Sequence, residues 1–470
     1  MPISKSFKKR LWPIAAKLHQ VFKGPFHIFN ESGINQTCQR MKYAFKGVPG
    51  FMNFYAVKAA PNPEILKIMA ENDFGFDCSS IPELHKAEDQ IMLCKSEFNN
   101  ANRLNKSKIM FTSNNTSKKE FMEALRINRV STPVIINIDD ISMILTLTEL
   151  NGGKLPGTIC FRYNPGPRRS DGSSAAKFGE PEKQKYGIPH EKIVDAYRRA
   201  QDLGAVDFGL HTMIASNSLN IEYIQETVQM LLDLTLKLKD DLGIKISFIN
   251  MGGGIGIPYK PDQTEFPIEE LGAWTKEIFE KFGEKNGWNP DFNMECGRYV
   301  TGPHAVLVTK VRGVYHKYQK IVGVDANTNA IARPKLYGFE DDGYHHIDVI
   351  SRQGHEVKIS GKEIVSVCDS LCENNGRFAD QRLLPKIQKG DTLIVQDTGA
   401  HKDTGADDYN SRTKPADLLL QINGTVKMIR RAQTEEDIDS TLNRLNSYVF
   451  TGKESWSEDP KVTPDFATKV

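Results

Sequence analysis

The chain has 470 residues, enough for about two domains, and its 39% hydrophobic and 26% charged residues are typical of a globular protein. The 61 Lys and Arg residues nearly balance 59 Asp and Glu residues and are scattered, which argues against nucleic acid or a membrane surface as a partner. The seven cysteines lack zinc-type spacing, so we predict free thiols, a cytoplasmic location and no metal site.

The N-terminal region carries the basic sequence KSFKKR followed by LWP, without an apolar stretch long enough for a signal peptide or membrane span. We interpret it as the start of a solvated helix. The run PFHIF at 25–29 is typical of a strand, and we expect segment 1–40 to join a β domain that follows later in the chain.

Short β-rich runs alternate with amphipathic helical segments from about Asn53 to Glu295. Eight strands over about 250 residues favour an α/β fold with a (β/α)8 TIM-type barrel at 41–300, and a doubly wound open sheet is the alternative. The predicted strands are 52–57, 74–78, 108–112, 133–138, 157–162, 207–211, 245–250 and 292–296. The predicted helices include 63–72, 117–128, 190–203, 221–242 and 268–285.

Lys58 ends the first of these strands, within NFYAVKAAPN. Burial at a strand end would lower the pKa of its ammonium toward the nucleophilic amine that Schiff-base chemistry requires. A lysine that snorkels to solvent is the structural alternative.

In a barrel, catalytic residues lie at the carboxyl ends of the strands, and polar or glycine residues follow all eight predicted strands. They are Lys58; Asp77, Ser79 and Glu83; Asn114; Asn137; Arg162; His211 and Ser216; Gly252 to Gly254; and Glu295 with Arg298.

The glycine row in INMGGGIGIP resembles the opening of a dinucleotide-binding fold, but Pro258 stands where its helix should begin. The glycines instead allow backbone N–H groups to approach a phosphate, and a tight turn is the alternative.

After Val300 the chain becomes β-rich, which predicts a sandwich or small barrel at 301–470. Its β-rich runs are AVLVTKVRGVYHK, KIVGVDA, HHIDVIS, EIVSVCDS, DTLIVQDTGA and LLLQINGTVKMIRR.

Seven runs of the chain resemble, in the same order, the diaminopimelate decarboxylases, which belong with ornithine decarboxylases to the fold-type III pyridoxal-phosphate decarboxylases. The resemblance covers nearly the whole chain. It implies pyridoxal 5'-phosphate as cofactor, an amino acid as substrate, and a homodimer whose β domain contributes to the partner's active site. The runs are FYAVKAAPNPEIL, FGFDCSSIPEL, NMGGGIG, MECGRYVTG, ARPKLYG, CDSLCENNGRFA and DTGAHKDTGADDYNSR.

The resemblance implies three catalytic residues. Lys58 would bind the cofactor covalently, and Glu295 would keep the pyridine nitrogen protonated, whereas a racemase of this fold is expected to carry arginine there. Cys372 would act across the dimer and return a proton to the α-carbon. The other residues implied for the cofactor are Asp77, Arg162, Met213, Ser216, Gly252, Gly253, Gly254, Gly297, Arg298, His401 and Tyr409. Those implied for the substrate are Arg298, Arg333, Tyr337 and Glu373.

Three positions depart from the family pattern. Met213 stands where a histidine usually stacks on the cofactor, and a thioether can pack there but is not expected to hydrogen-bond. His401 replaces a tyrosine, as a phosphate ligand or an ordinary loop residue, and Cys296 replaces the proline of EPGR.

These departures lead us to expect the D-ornithine/D-lysine subgroup, which decarboxylates a D-configured carbon to give putrescine or cadaverine. The alternative is meso-diaminopimelate going to L-lysine, for which Arg298 and Arg333 argue. A catalytically inactive binding homologue is a remote third reading.

Overall fold

The computed structural model describes residues 3–98, 109–169, 180–357, 361–402 and 405–442. Within them the chain forms a parallel barrel and a separate β-sheet domain. The two parts have adjoining hydrophobic cores, and the larger core surrounds the barrel.

The barrel has eight parallel strands, as predicted, and the last strand closes on the first where Asn293 pairs with Met52. Most strand residues are buried, as expected for parallel strands covered by helices. The open-sheet alternative is therefore wrong. Of the predicted third strand, residue 108 lies outside the described residues. The observed strands are Met52–Ala56, Gly75–Cys78, Ile109–Thr112, Val134–Ile138, Thr158–Asn164, Asp207–His211, Phe248–Asn250 and Asp291–Met294.

The helices between the strands have clear start and stop signals. Ser117 forms a capping box with Glu120, and Gly243 and Gly287 end their helices in the left-handed conformation. Among the described residues, no helix is long and apolar enough to cross a bilayer. The longer helices are Lys5–Phe22, Glu31–Ala44, Pro63–Glu71, Ile81–Phe98, Lys118–Val130, Met143–Leu150, His190–Asp202, Ile221–Leu242 and Ile268–Asn286. Short helices are Arg298–Thr301, Arg333–Tyr337 and Glu435–Asp439.

The second domain is built on a nine-stranded sheet. Its strand Arg377–Pro385 lies outside every β-rich run recognised in the sequence, because RFADQRLLP has little β-branched or alternating character. The strands are Phe26–Asn30, Ala305–His316, Lys320–Val324, Ile347–Ile350, Lys362–Cys368, Arg377–Pro385, Thr392–Val395, Ala416–Leu420 and Val426–Arg430. A two-residue strand, Ile188–Pro189, adds to the barrel sheet.

The N-terminal segment divides between the two parts. The strand Phe26–Asn30 lies in the β domain, antiparallel to Ala305–His316 and parallel to Ala416–Leu420. The helix Glu31–Ala44, in contrast, buries Ile34, Cys38 and Met41 in the barrel core. The apolar side of this helix thus packs with the barrel, while Glu31 at its start accepts a hydrogen bond of 2.8 Å from the backbone N–H of Ile422 in the β domain.

The helix Lys5–Phe22 covers one face of the β domain. Phe7 and Leu11 pack there against Val306 and Val308, whereas the intervening Leu307 belongs to the core on the other side of the sheet. Each large apolar side chain buried in this way stabilises the fold by about 1.5–3 kcal/mol. Of its basic residues, Lys5, Lys9 and Lys17 are exposed. Lys8 pairs with Asp348 of the sheet, and Arg10 donates to the Gln421 carbonyl oxygen.

Candidate active site

A cavity of about 400 Å³ lies at the carboxyl ends of the barrel strands. We call it the central cavity. Its volume suits a small ligand with a cofactor. It brings together most of the residues that the sequence singled out, namely Lys58, Asp77, Arg162, Met213, Ser216, Gly253, Gly254, Glu295, Gly297, Arg298, Arg333, Tyr337 and His401. Of the residues that the family resemblance implied, four do not line it, namely Gly252, Cys372, Glu373 and Tyr409. Of the remaining strand-end residues, five do not line it, namely Ser79, Glu83, Asn114, Asn137 and His211.

Lys58 lies in a 3₁₀ turn, Val57–Ala59, directly after the first barrel strand. Its side chain is 45% exposed and lines the central cavity, with Nζ 3.8 Å from Asp77 Oδ2. Burial would lower the pKa of Lys58, but the carboxylates of Asp77, Glu295 and Glu83 outweigh burial and raise it. The expected lowering of the Lys58 pKa is therefore wrong, because three nearby carboxylates stabilise the ammonium.

Glu295 is held by two residues of neighbouring strands. Its Oε2 lies 3.1 Å from His211 Nε2, and its Oε1 accepts a hydrogen bond of 2.9 Å from Asn250 Nδ2. Burial opposes the charge, but His211, Lys58 and Arg162 together lower the pKa of Glu295. Burial also lowers the pKa of His211, so a neutral imidazole donates through Nε2. The sequence did not point to Asn250, because an asparagine at the end of a predicted strand carries no functional signal by itself.

The pKa of Asp77 is shifted in the opposite direction to that of Glu295. Burial and the charge of Glu295 raise its pKa well above the usual value, against the opposing effect of Lys58. Its Oδ1 is buried without a hydrogen-bond partner among the described residues. The wall of the cavity therefore offers one carboxylate that stays ionised and a second one that holds a proton more readily.

The glycine row turns tightly against the loop that follows His211. Gly252 has a φ of 73°, and a Cβ there would lie 2.4 Å from the Thr212 carbonyl oxygen. Its N–H donates to Asn250 Oδ1 at 2.8 Å, so Gly252 shapes the turn without lining the central cavity. The N–H of Gly253 donates to Met213 Sδ at 3.2 Å. The expectation that Met213 forms no hydrogen bond is wrong, although sulfur is a weak acceptor.

Arg162 lies two residues before the end of its strand, Thr158–Asn164, with its guanidinium 3.7 Å from the centre of the Tyr186 ring. Tyr186 also lines the central cavity. It was missed because it lies in an irregular stretch between predicted elements, where no periodicity marks it. Further lining residues that sequence reasoning did not select are Ala56, Asn217, Ile255, Ala332, Leu336 and Gly405.

Arg333 and Tyr337 reach the central cavity from the short helix Arg333–Tyr337 of the second part of the chain. Arg333 is buried, donates to the Asp342 carbonyl oxygen, and lies 5.6 Å from the centre of the Tyr337 ring. Burial lowers its pKa, and the charge of Arg298 lowers it further. The two arginines are thus close enough to repel each other.

His401 lies beside Lys58. Its backbone N–H donates to the Ala59 carbonyl oxygen at 2.7 Å, and its φ of 61° places it in the left-handed region. Burial, followed by the charges of Arg298, Lys58 and Arg333, holds the pKa of His401 well below its usual value. The imidazole is therefore neutral, and it belongs to the cavity wall rather than to an outer loop.

Cys372, Glu373 and Tyr409 form a separate surface group with Lys335, Asp407 and Asn410, which we call the Cys372 patch. Cys372 is exposed, and its Sγ lies 3.5 Å from Tyr409 Oη and 3.4 Å from Asn410 Nδ2. These contacts, with Tyr409 the stronger, lower the pKa of the thiol. Lys335 Nζ lies 3.2 Å from Glu373 and 2.9 Å from Asp407. The patch is preorganised but faces outward from its own chain.

Comparison with known proteins gives concordant results. A model of the pyridoxal-binding domain of pyridoxal-dependent decarboxylases matches residues 31–302. Protein TabA of Pseudomonas amygdali pv. tabaci is 36% identical over 440 residues, covering 93% of this chain and 95% of the relative. Diaminopimelate decarboxylase of Methanothermobacter thermautotrophicus is 32% identical over 426 residues, 90% of this chain and 92% of that protein. A crystal structure of the M. jannaschii diaminopimelate decarboxylase with L-lysine aligns with a TM-score of 0.78 and 29% identity, covering 91% and 93% of the two chains.

The central cavity fits pyridoxal phosphate, the cofactor of this family. Lys58 brings its amino group into the cavity for the aldehyde, and Gly253 and Gly254 line the wall without side chains, as is typical of backbone that a phosphate approaches. Glu295 presents an ionised carboxylate for the pyridine nitrogen. Asp77 lines the same cavity, and its Oδ1 is buried and without a hydrogen-bond partner among the described residues. With a matching cavity and relatives that align over most of its length, the chain belongs to the fold-type III pyridoxal-phosphate-dependent decarboxylases of the diaminopimelate decarboxylase type.

Proposed function

We propose that this enzyme decarboxylates the D-configured carbon of an amino acid with a distal carboxylate, of the meso-diaminopimelate class, and releases L-lysine. The observation that carries the proposal is the presence of Arg298 and Arg333 in the same cavity as Lys58. Guanidinium groups bind carboxylates with charge-assisted hydrogen bonds, whereas the distal ammonium of D-lysine or D-ornithine would be repelled.

The charge balance of the central cavity supports an acidic ligand. Four cationic side chains line it within the described residues, namely Lys58, Arg162, Arg298 and Arg333, against the carboxylates Asp77 and Glu295. The raised pKa of Asp77 further reduces the negative charge. The cofactor phosphate, with a charge of about −1.5 to −2, would neutralise much of this excess. meso-Diaminopimelate, with two carboxylates and two ammonium groups, would add no net charge, whereas D-lysine would add a further positive charge.

D-lysine and D-ornithine remain the second candidate, because Met213 and His401 depart from the family pattern. The contacts of both residues, however, are with the glycine row and with the turn that carries Lys58, where we propose that the cofactor binds. Met213 bonds to Gly253 in the glycine row, and His401 bonds to Ala59 beside Lys58. Substitutions at residues near the cofactor do not select the distal group of the substrate. Met213 and His401 therefore support the second candidate less than Arg298 and Arg333 support the first.

The roles of the residues follow from their environments. When bound, pyridoxal phosphate supplies an electron-withdrawing ring that accepts the electron pair left by departing CO2. Glu295, ionised and fixed by His211 and Asn250, would hold a proton at the pyridine nitrogen. Lys58 would bind the cofactor and yield its place to the amino group of the substrate. Cys372 would deliver a proton to the substrate α-carbon.

A homodimer would explain the position of the Cys372 patch. Cys372 does not line the central cavity of its own chain, yet its thiol has a lowered pKa and two hydrogen-bonding neighbours. We therefore propose that each chain supplies this patch to the central cavity of a partner chain, as in the family's shared active sites.

Substrate choice is tested by kinetics with meso-diaminopimelate, D-lysine and D-ornithine, with product identification. We expect meso-diaminopimelate to have the highest kcat/KM. In Arg333→Leu, its KM should rise by about 10- to 100-fold, the loss expected for a hydrogen bond to a charged group. The KM for D-lysine should not rise and should fall if anything, because a cation that repels its distal ammonium is removed. The control is Arg198→Leu on the exposed face of a helix. Turnover of D-lysine equal to or better than that of meso-diaminopimelate would overturn the proposal.

The role of Glu295 is tested with Glu295→Gln. The amide keeps the shape of the side chain but removes the charge, so kcat should fall by at least about 10²-fold, as for the loss of one preorganised electrostatic group. Cofactor absorbance should persist, because Lys58 is unchanged. Glu277→Gln, on a solvent-exposed helix face, serves as control. A wild-type kcat in Glu295→Gln would exclude the proposed role.

A further inference from the structure

Tyr259 lies behind the two arginines of the central cavity. It follows the glycine row by a few residues and is buried, with 5% of its surface exposed, but it does not line the cavity. Arg298 Nη1 donates to Tyr259 Oη at 2.6 Å. The Arg333 guanidinium carbon lies 4.0 Å from the centre of the Tyr259 ring. One side chain thus contacts both cations, through its hydroxyl and through its π face.

This arrangement compensates a repulsion. Two guanidinium groups that share a partly desolvated site disfavour each other, as the lowering of the Arg333 pKa by Arg298 indicates. A phenolic oxygen is a neutral acceptor for Arg298, and the electron-rich ring face attracts Arg333. Because Tyr259 carries no charge of its own, it stabilises the pair without cancelling the positive potential that a carboxylate would meet.

Tyr259 is itself held in place. Its backbone N–H donates to Gln263 Oε1 at 2.9 Å, which closes the loop on itself. The His345 ring packs edge-on against it, with ring centres 5.2 Å apart and planes at 78°. His345 Nδ1 donates to the Gln396 carbonyl oxygen at 2.7 Å. Burial and the charge of Arg333 lower the pKa of His345 to about 3, so no third cation is added.

We infer that Tyr259 is a positioning residue that sets the pair Arg298 and Arg333 for a distal carboxylate. It acts through the arginines and not on the substrate. The inference rests on the proposed function for the identity of the preferred amino acid, but not for the binding of a carboxylate, which can be measured separately. Loss of a purely structural tyrosine would affect the binding of every ligand equally, whereas loss of a positioning residue weakens only the binding of ligands that have a distal carboxylate.

The test uses the holoenzyme with Tyr259→Phe, which keeps the ring against Arg333 and removes the acceptor of Arg298. KM for meso-diaminopimelate should rise by about tenfold or more, since a hydrogen bond to a charged group is lost. We expect kcat to stay within about twofold and D-lysine kinetics to be unchanged. Tyr259→Leu, which also removes the π face, should raise KM further. If Tyr259→Leu does not fold, the result for Tyr259→Phe alone tests the positioning role of Tyr259.

The matched control is Tyr344→Phe, because Arg382 lies at the same 4.0 Å from the ring of Tyr344 but neither residue lines the central cavity. Competitive inhibition by pimelate, a dicarboxylate without amino groups, gives a second readout with whichever amino acid the wild type turns over. A wild type that prefers D-lysine overturns the proposed function only. An unchanged pimelate inhibition constant in Tyr259→Phe, or an equal rise of KM for D-lysine, overturns the role of Tyr259.

Discussion

Replacing Lys58 with alanine is expected to abolish the visible absorbance of the cofactor and to reduce turnover by at least about 10³-fold, because covalent catalysis requires the amine. Lys58 lies in the central cavity with Asp77 at 3.8 Å, and its 45% exposed side chain leaves Nζ accessible to a ligand. The measurements are an absorbance spectrum of the purified protein and a steady-state assay of CO2 release.

The control for this experiment is Lys276→Ala. Lys276 lies on an exposed helix face in an i,i+4 pair with Glu280, so its loss should change neither colour nor rate. Visible absorbance that survives in Lys58→Ala would show that another amine binds the cofactor. A colourless wild type that binds amino acids would instead favour the inactive binding homologue.

Replacing Cys372 with alanine should lower kcat by about 10²-fold or more, the contribution typical of a positioned proton donor. The thiol is exposed, and its hydrogen bonds with Tyr409 and Asn410 lower its pKa. Cys368→Ala, four residues earlier and only partly exposed, is the matched control. An unchanged kcat in Cys372→Ala would remove this residue from proton transfer.

The Cys372→Ala variant also tests the shared active site. When Cys372→Ala and Lys58→Ala chains are mixed and reassembled, about one quarter of wild-type activity should return. Half of randomly formed dimers contain one chain of each variant, and in each of these one of the two sites combines an intact Lys58 with an intact Cys372. Each variant alone should remain near its own low activity. Failure to recover activity, with mixed dimers shown by mass, would mean that Cys372 does not serve a partner's cavity.

The amino-acid sequence alone determined the barrel and much of the central cavity. A regular alternation of strands and helices leads to eight parallel strands, and their carboxyl ends must meet at one edge whatever the details of packing. Residues such as Lys58, Arg162 and Glu295 therefore came together as predicted from their positions after strands. The order of motifs along the chain was sufficient to identify the family.

Only the tertiary structure decided the electrostatics and the indirect contacts. The pKa of Lys58 is raised and not lowered, since its sign depends on distances to Asp77, Glu295 and Glu83, which are far apart in sequence. Likewise, the contact of Tyr259 with Arg333 joins separate parts of the chain, and no local pattern encodes it. Periodicity determines which face of an element is buried, whereas pairwise distances between elements arise only when the chain has packed.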